Sequence, residues 1–190
     1  EIRLCLVGSE MCIRDSYTGA CHKWMCAPKG SSFLYVAKNF QKGMSPQIMS
    51  WGEEGDDPGP SQFLMDFQWQ GTKDMSAFLA IPAAIRFLQK NKWKEKSVIS
   101  KNLISHLAGR LKDILGTESL FKNKNWIGQM ISHPLPINSP INLKDILWND
   151  FKIEVPIFEW KKRNFIRVSA HFYNDQKDMD HLIKALKEIF

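Results

Sequence analysis

The last third of the chain most constrains its fold, because there the apolar residues switch repeatedly between strand spacing and helix spacing. Residues 126–132 read as a strand, 143–151 as a short helix and 153–160 as a strand. A turn at 161–164 leads into a strand over 165–172. A helix over 175–190 closes the series, its core face being Met179, Leu182, Ile183, Leu186 and Ile189. Strand, helix, hairpin and helix in that order make a two-layer α+β domain.

The segment ahead of it carries a longer helical pattern from about residue 94 to 115. Ile104, Leu107, Leu111 and Leu115 share one side, and Gly116 stands where a helix C-cap is expected. This helix would link two domains, with the polar stretch 117–125 as the boundary. Upstream, Phe78, Ile81, Ile85 and Leu88 are spaced for one apolar helix face over 75–90, with Thr72 or Asp74 able to cap it. Pro82 inside that pattern should kink the helix or sit where a backbone bond is already lost. Residues 32–36 and 47–51 read as strands, and 52–60 as a polar loop rich in Gly and Pro.

Composition narrows the function. The 190 residues are 44% hydrophobic, enough to bury a core, and carry a formal charge of +6. The densest basic run, Lys161-Lys162-Arg163, lies between two apolar stretches, which suits a hairpin turn better than a nucleic-acid footprint. No apolar run approaches the roughly 20 residues of a membrane span, and no signal peptide is recognisable. The expectation is a cytoplasmic protein without nucleic-acid or membrane partners. Cys5, Cys12, Cys21 and Cys26 all lie near the start, in no metal-ligand spacing, and are expected as reduced thiols with no metal bound.

Chemistry concentrates first in residues 17–30. Lys23 lies between His22 and Trp24, after a stretch of small residues and before a Pro28-Lys29-Gly30 turn. A lysine held at a bend among apolar residues keeps a usable amine, because desolvation disfavours the ammonium, and such amines form Schiff bases. Most lysines are solvated surface charges, and spacing alone does not separate this one from them. Gly71-Thr72 ahead of a helix could seat a phosphate, or could simply cap. Further on, period-2 spacing places Arg167 opposite Ile166 and Val168. There a guanidinium could grip a carboxylate, pair with a neighbouring acid or face water.

Three stretches then carry a resemblance. Thr18-Gly19-Ala20-Cys21-His22-Lys23-Trp24-Met25-Cys26-Ala27-Pro28-Lys29-Gly30 resembles the cofactor-lysine segment of the class V aminotransferase family, within it the isopenicillin N epimerase-like branch. Trp69-Gln70-Gly71-Thr72-Lys73-Asp74 and Arg167-Val168-Ser169-Ala170-His171-Phe172-Tyr173-Asn174 resemble two further motifs of that family, in the same order. The resemblance implies an α/β fold. It would comprise the C-terminal part of a fold-type I pyridoxal-phosphate enzyme, a remnant of the large αβα domain followed by a small α+β domain. It implies that Lys23 carries pyridoxal phosphate beside His22. It implies that Gly71 and Thr72 reach the cofactor phosphate of a partner subunit in a homodimer with shared active sites. Arg167 would bind the α-carboxylate of an amino-acid-like substrate, with His171 and Asn174 in structural support.

Ile153-Glu154-Val155-Pro156 again resembles the epimerase branch, and no cysteine follows Cys26, which disfavours a persulfide-forming desulfurase. The alternatives are a carbon–sulfur lyase on a sulfur-containing amino acid and a catalytically silent relative. Residues 1–16 join poorly to the stretch that begins at Tyr17 and resemble a non-native segment. The expected organisation is therefore 17–93 for the large-domain remnant, 94–116 for the linking helix and 117–190 for the small domain. Because such a site also needs groups upstream of the lysine, the chain alone is expected not to hold the cofactor tightly or turn over substrate.

Overall fold

The computed structural model describes residues 15–54, 59, 61–121 and 123–190. Most of the segment 1–16 and of the loop 52–60, and one residue of the stretch 117–125, lie outside the described residues. The chain divides into two compact units, Glu1–Gln89 and Lys90–Phe190.

In the first unit, β1 (Ser16–Ala20) and β2 (Ser32–Val36) form an antiparallel hairpin in which Thr18 faces Leu34 and Gly19 faces Phe33. The Thr18 hydroxyl donates to the Phe33 carbonyl at 2.8 Å. A Cβ on Gly19 would stand 2.9 Å from Cε1 of Phe33, so glycine lets the ring lie against the opposite strand. Short helices follow: α1 (Lys38–Gln41), α2 (Trp51–Glu54) and α3 (Gln62–Gln68), the last capped by Ser61, whose hydroxyl accepts from the Leu64 N–H. The strand expected over 47–51 does not form. Ile48 and Met49 lie in irregular chain, more than half exposed, and Trp51 opens α2 instead. A strand needs a neighbour for its backbone groups, and none of the described residues supplies one there. The helix expected over 75–90 forms in two pieces, α4 (Ser76–Leu79) and α5 (Ile81–Lys90), separated at Ala80. Pro82 is the second residue of α5, where a helix N–H has no partner to lose.

The second unit begins with α6 (Trp93–Leu115). Gly116 ends it in the left-handed conformation at φ 62°, and its N–H bonds the Lys112 carbonyl, as expected of a C-cap. A single 3-10 turn, Lys124–Trp126, precedes β3 (Met130–Pro134), so the strand starts later than the spacing predicted. Then come α7 (Leu143–Asn149), β4 (Ile157–Trp160), β5 (Arg163–Ser169) and α8 (Gln176–Ile189). The three strands form one antiparallel sheet in the order β3-β5-β4. Lys161 and Lys162, at φ 49° and 60°, make the two-residue connection between β4 and β5, the backbone of a type I′ hairpin turn. Asp175 caps α8 in a reciprocal capping box with Asp178.

Burial follows the predicted faces. Ile104, Leu107, Leu111 and Leu115 of α6 share one core with Leu143 and Leu147 of α7 and with Met179, Leu182, Ile183 and Leu186 of α8; Ile189 is partly buried against it. Ile131, Ile166 and Val168 supply the sheet side of that core. No helix among the described residues is long and apolar enough to cross a membrane.

Candidate active site

Lys23 sits in the connection between β1 and β2, and backbone bonds close that connection at three levels. Cys21 N–H donates to Ser31 O, Ala27 N–H to Cys21 O and Cys26 N–H to Lys23 O, each at 3.1 Å. The anchors are buried: Cys21, Ala27 and Ser31 are all less than a tenth exposed. Cys26 takes a positive φ of 58° to close the innermost turn, and Gly30 takes 103° where the chain re-enters β2. Between the anchors His22, Lys23 and Trp24 are exposed. The apolar shelter expected around Lys23 is therefore not provided by the described residues. The loop instead holds the amine outward on a fixed backbone. Partial desolvation pushes the thiol of the nearby Cys26 up.

Gly71 and Thr72 lie in the turn between α3 and α4. They share a cleft of about 170 Å³ with Gln68, Trp69, Lys73 and Met75. Gly71 has φ 94°, a conformation that favours glycine. Lys73 Nζ donates to Gln70 Oε1 at 3.2 Å and stands over the Phe78 ring. Neither Thr72 nor Asp74 is the cap of α4: the N-cap is Met75, with no side-chain bond, while the Asp74 carboxylate one residue earlier accepts from the Ser76 hydroxyl and from the Ser76 N–H, bonds that hold it below the usual carboxylate range. Thr72 is thus left facing the cleft, four residues ahead of α4. Gln68 and Met75 carry no motif signal in the sequence, while Trp69 stands in the same short motif as Thr72.

Arg167 belongs to the second unit. It lies on the central strand β5, paired with Ser132 of β3, and its N–H donates to Pro156 O at 3.0 Å. It is exposed between buried Ile166 and Val168, as alternation required. The turn after β5 is tied by Asn174, whose side-chain oxygen accepts from the His171 N–H at 2.9 Å and whose amide donates to Asp178 at 3.1 Å. The buried His171 ring stacks between Trp93 of α6 and Tyr173, at 4.9 and 5.0 Å. A second cleft in this unit, about 300 Å³, runs between α7 and residues 153–155 and includes Trp148 and Glu154.

The structure thus gathers Gly71 and Thr72 on one cleft and sets His22 and Lys23 on one loop of the same unit, with Arg167 in the other unit. The profile of the family described as Aminotransferase class-V matches residues 12–182. Isopenicillin N epimerase of Amycolatopsis lactamdurans is 31% identical over 189 residues, covering 92% of this chain and 47% of its own. A protein of Arabidopsis thaliana named "Probable L-cysteine desulfhydrase, chloroplastic" is 25% identical, covering 90% and 39%. Among solved structures, a C-DES variant with glycine covalently linked to the PLP cofactor matches at TM-score 0.75 and 18% identity, covering 93% and 46%. The chain spans less than half the length of these relatives.

Proposed function

This chain belongs to the class-V aminotransferase family and shares the fold of fold-type I pyridoxal-phosphate enzymes, and on that premise we propose that it carries the lysine of an enzyme acting on an amino acid or amino-acid-derived substrate. The observation that carries the proposal is the hydrogen-bonded loop that anchors Cys21 and Ala27 and turns Lys23 outward between them. The residues present fit pyridoxal phosphate: an accessible primary amine meets an aldehyde, and a hydroxyl at Thr72 with a cation at Lys73 on one cleft suits a phosphate.

When bound, the cofactor supplies an electron sink for a bond broken at the substrate α-carbon. Lys23 Nζ would hold the cofactor and, once displaced by the substrate amine, take the α-proton and return it. Arg167 would donate two parallel bonds to the substrate carboxylate and so fix which bond at the α-carbon is presented. His22 would flank the cofactor, and Thr72 with the Gly71 N–H would hold the phosphate of a partner subunit's site in a homodimer.

The resemblance to isopenicillin N epimerase favours return of the proton on the opposite face, hence epimerisation. A carbon–sulfur lyase is the second reading, supported by the likeness to a cysteine desulfhydrase. The test is α-proton exchange in deuterated water, followed by NMR, in a protein of the relatives' full length that includes this chain. Lys23→Ala should abolish exchange, and Arg167→Leu should raise the KM for the amino acid far more than it weakens cofactor binding. Exchange that survives Lys23→Ala would refute the assignment of that lysine.

A further inference from the structure

Residues 163, 165, 167 and 169 of β5 share one face of the second unit's sheet, because side chains alternate along a strand. The register adds Phe158 and Trp160 from β4, opposite Phe165 and Arg163, and Ser132 from β3, opposite Arg167. This is the face away from the core. Ile131, Ile166 and Val168 point the other way, into the cluster that receives the buried apolar residues of α6, α7 and α8. On the outer face Phe165 is buried at 2% exposure beneath its ring neighbours, Phe158 at 5.7 Å and Trp160 at 6.0 Å. Phe158 and Trp160 themselves are 38% and 51% exposed.

Two arginines therefore flank an aromatic platform on one strand. Four residues at roughly 3.4 Å each separate their Cα atoms by about 14 Å. Neither has an acidic partner among the described residues: the ion pairs of this unit use Lys92, Arg110, Lys112 and Lys184. A guanidinium left unpaired beside exposed aromatic surface is ready for an anion, and its planar fork matches a carboxylate bidentately.

We infer that the substrate carries a second carboxylate, held by Arg163, with the apolar segment between its two anionic ends lying over Phe158 and Trp160. The inference rests on the reading of Arg167 as the α-carboxylate ligand and extends it to the far end of the substrate. A dicarboxylate is chosen over a monocarboxylate by charge and length. A short amino acid reaches Arg167 alone.

The test uses the full chain with two probes, suberate and octanoate, of equal carbon number but different charge. Binding is followed through the side-chain Nε–Hε NMR signals of the two arginines. Suberate should move both signals and bind at least about tenfold more tightly than octanoate, which should move only that of Arg167. Arg163→Gln should remove the suberate advantage, and Arg163→Lys should keep part of it. Equal affinities, or suberate shifts confined to Arg167, would overturn the second-carboxylate inference while leaving Arg167 in place. No response of Arg167 to either probe would instead remove the carboxylate reading on which the inference stands.

Discussion

The two units spend their apolar residues differently. In Lys90–Phe190, α6, α7 and α8 close over the sheet, and among the described residues one cluster of nineteen buried residues extends from Ile104 to Leu186. In Glu1–Gln89 the buried cluster among the described residues is Cys21, Ala27 and Ala84, with Met25, Phe33 and Ile81 packed against it, while Trp51 and Leu79 stand 86% and 77% exposed. Yet the proposed cofactor lysine belongs to the unit with the small core. Its loop is held by local means, a hairpin and three backbone bonds, which can fix a side chain's base without a large interior. The second unit supplies what local bonding cannot, a sheet stiff enough to present Arg167 on a defined face.

Core truncation should separate the units most sharply. Leu111→Ala, at a fully buried position, should cost about 2–5 kcal/mol, whereas Leu79→Ala should stay within about 0.5 kcal/mol. Urea unfolding of the two variants compares them. Similar losses would mean that Leu79 is covered in solution and that the contrast between units fails.

A smaller effect should come from pH, around the ordinary histidine value and in the second unit. His133 is fully buried on β3, and its Nε2 meets the Thr117 hydroxyl at 3.0 Å. That hydroxyl donates to Pro134 O, so the ring nitrogen is its donor and Nδ1 is left without a partner. Burial pushes the imidazole below its ordinary value, against smaller opposing effects of Thr117 and Glu118. The unfolded chain then takes up a proton near pH 6.5 that the folded chain refuses. Stability is full above that pH and falls as pH drops toward the folded value, by up to about 1.4 kcal/mol per pH unit. Unfolding measured between pH 7.5 and 5.5, limits set around that ordinary value, should show the slope, and His133→Gln should flatten it. A slope unchanged in the variant would assign it to other groups.

The end of α8 gives the smallest shift. Asp175→Ala removes the carboxylate that accepts from the Lys177 and Asp178 N–H groups and should cost about 1 kcal/mol. A loss confined to the Lys90–Phe190 transition would confirm that the two units unfold separately, and a loss shared by both would merge them.

The contrast also explains what could be read from the chain. Where an element completes its own core, spacing located it best: α6 with its Gly116 cap and α8 after Asp175 fall where expected, whereas β5 runs Arg163–Ser169 rather than 165–172, because the turn takes only Lys161 and Lys162, though Arg167 still lies opposite Ile166 and Val168. Errors gathered where apolar residues lack a partner. Ile48 and Met49 looked like strand residues because they are apolar, but no strand of the described chain pairs with them. Trp126 looked like the start of β3, yet it is 67% exposed in the 3-10 turn before Gly128. The strand expected from Ile153 begins only after Pro156, which has no N–H to give a ladder. The shelter of Lys23 was inferred from its neighbours in sequence, but the hairpin turns both His22 and Trp24 outward with it. Spacing alone makes Arg163 one residue of a basic turn, and the register sets it on the face of Arg167.

The most direct measurement is chemical. A protein of the relatives' full length that includes this chain should be saturated with pyridoxal phosphate, reduced with borohydride, digested and mapped by mass spectrometry. The account predicts one pyridoxyl-modified peptide, the one containing Lys23, and none in Lys23→Ala. A modification at another lysine, or an unchanged peptide in the variant, would contradict it.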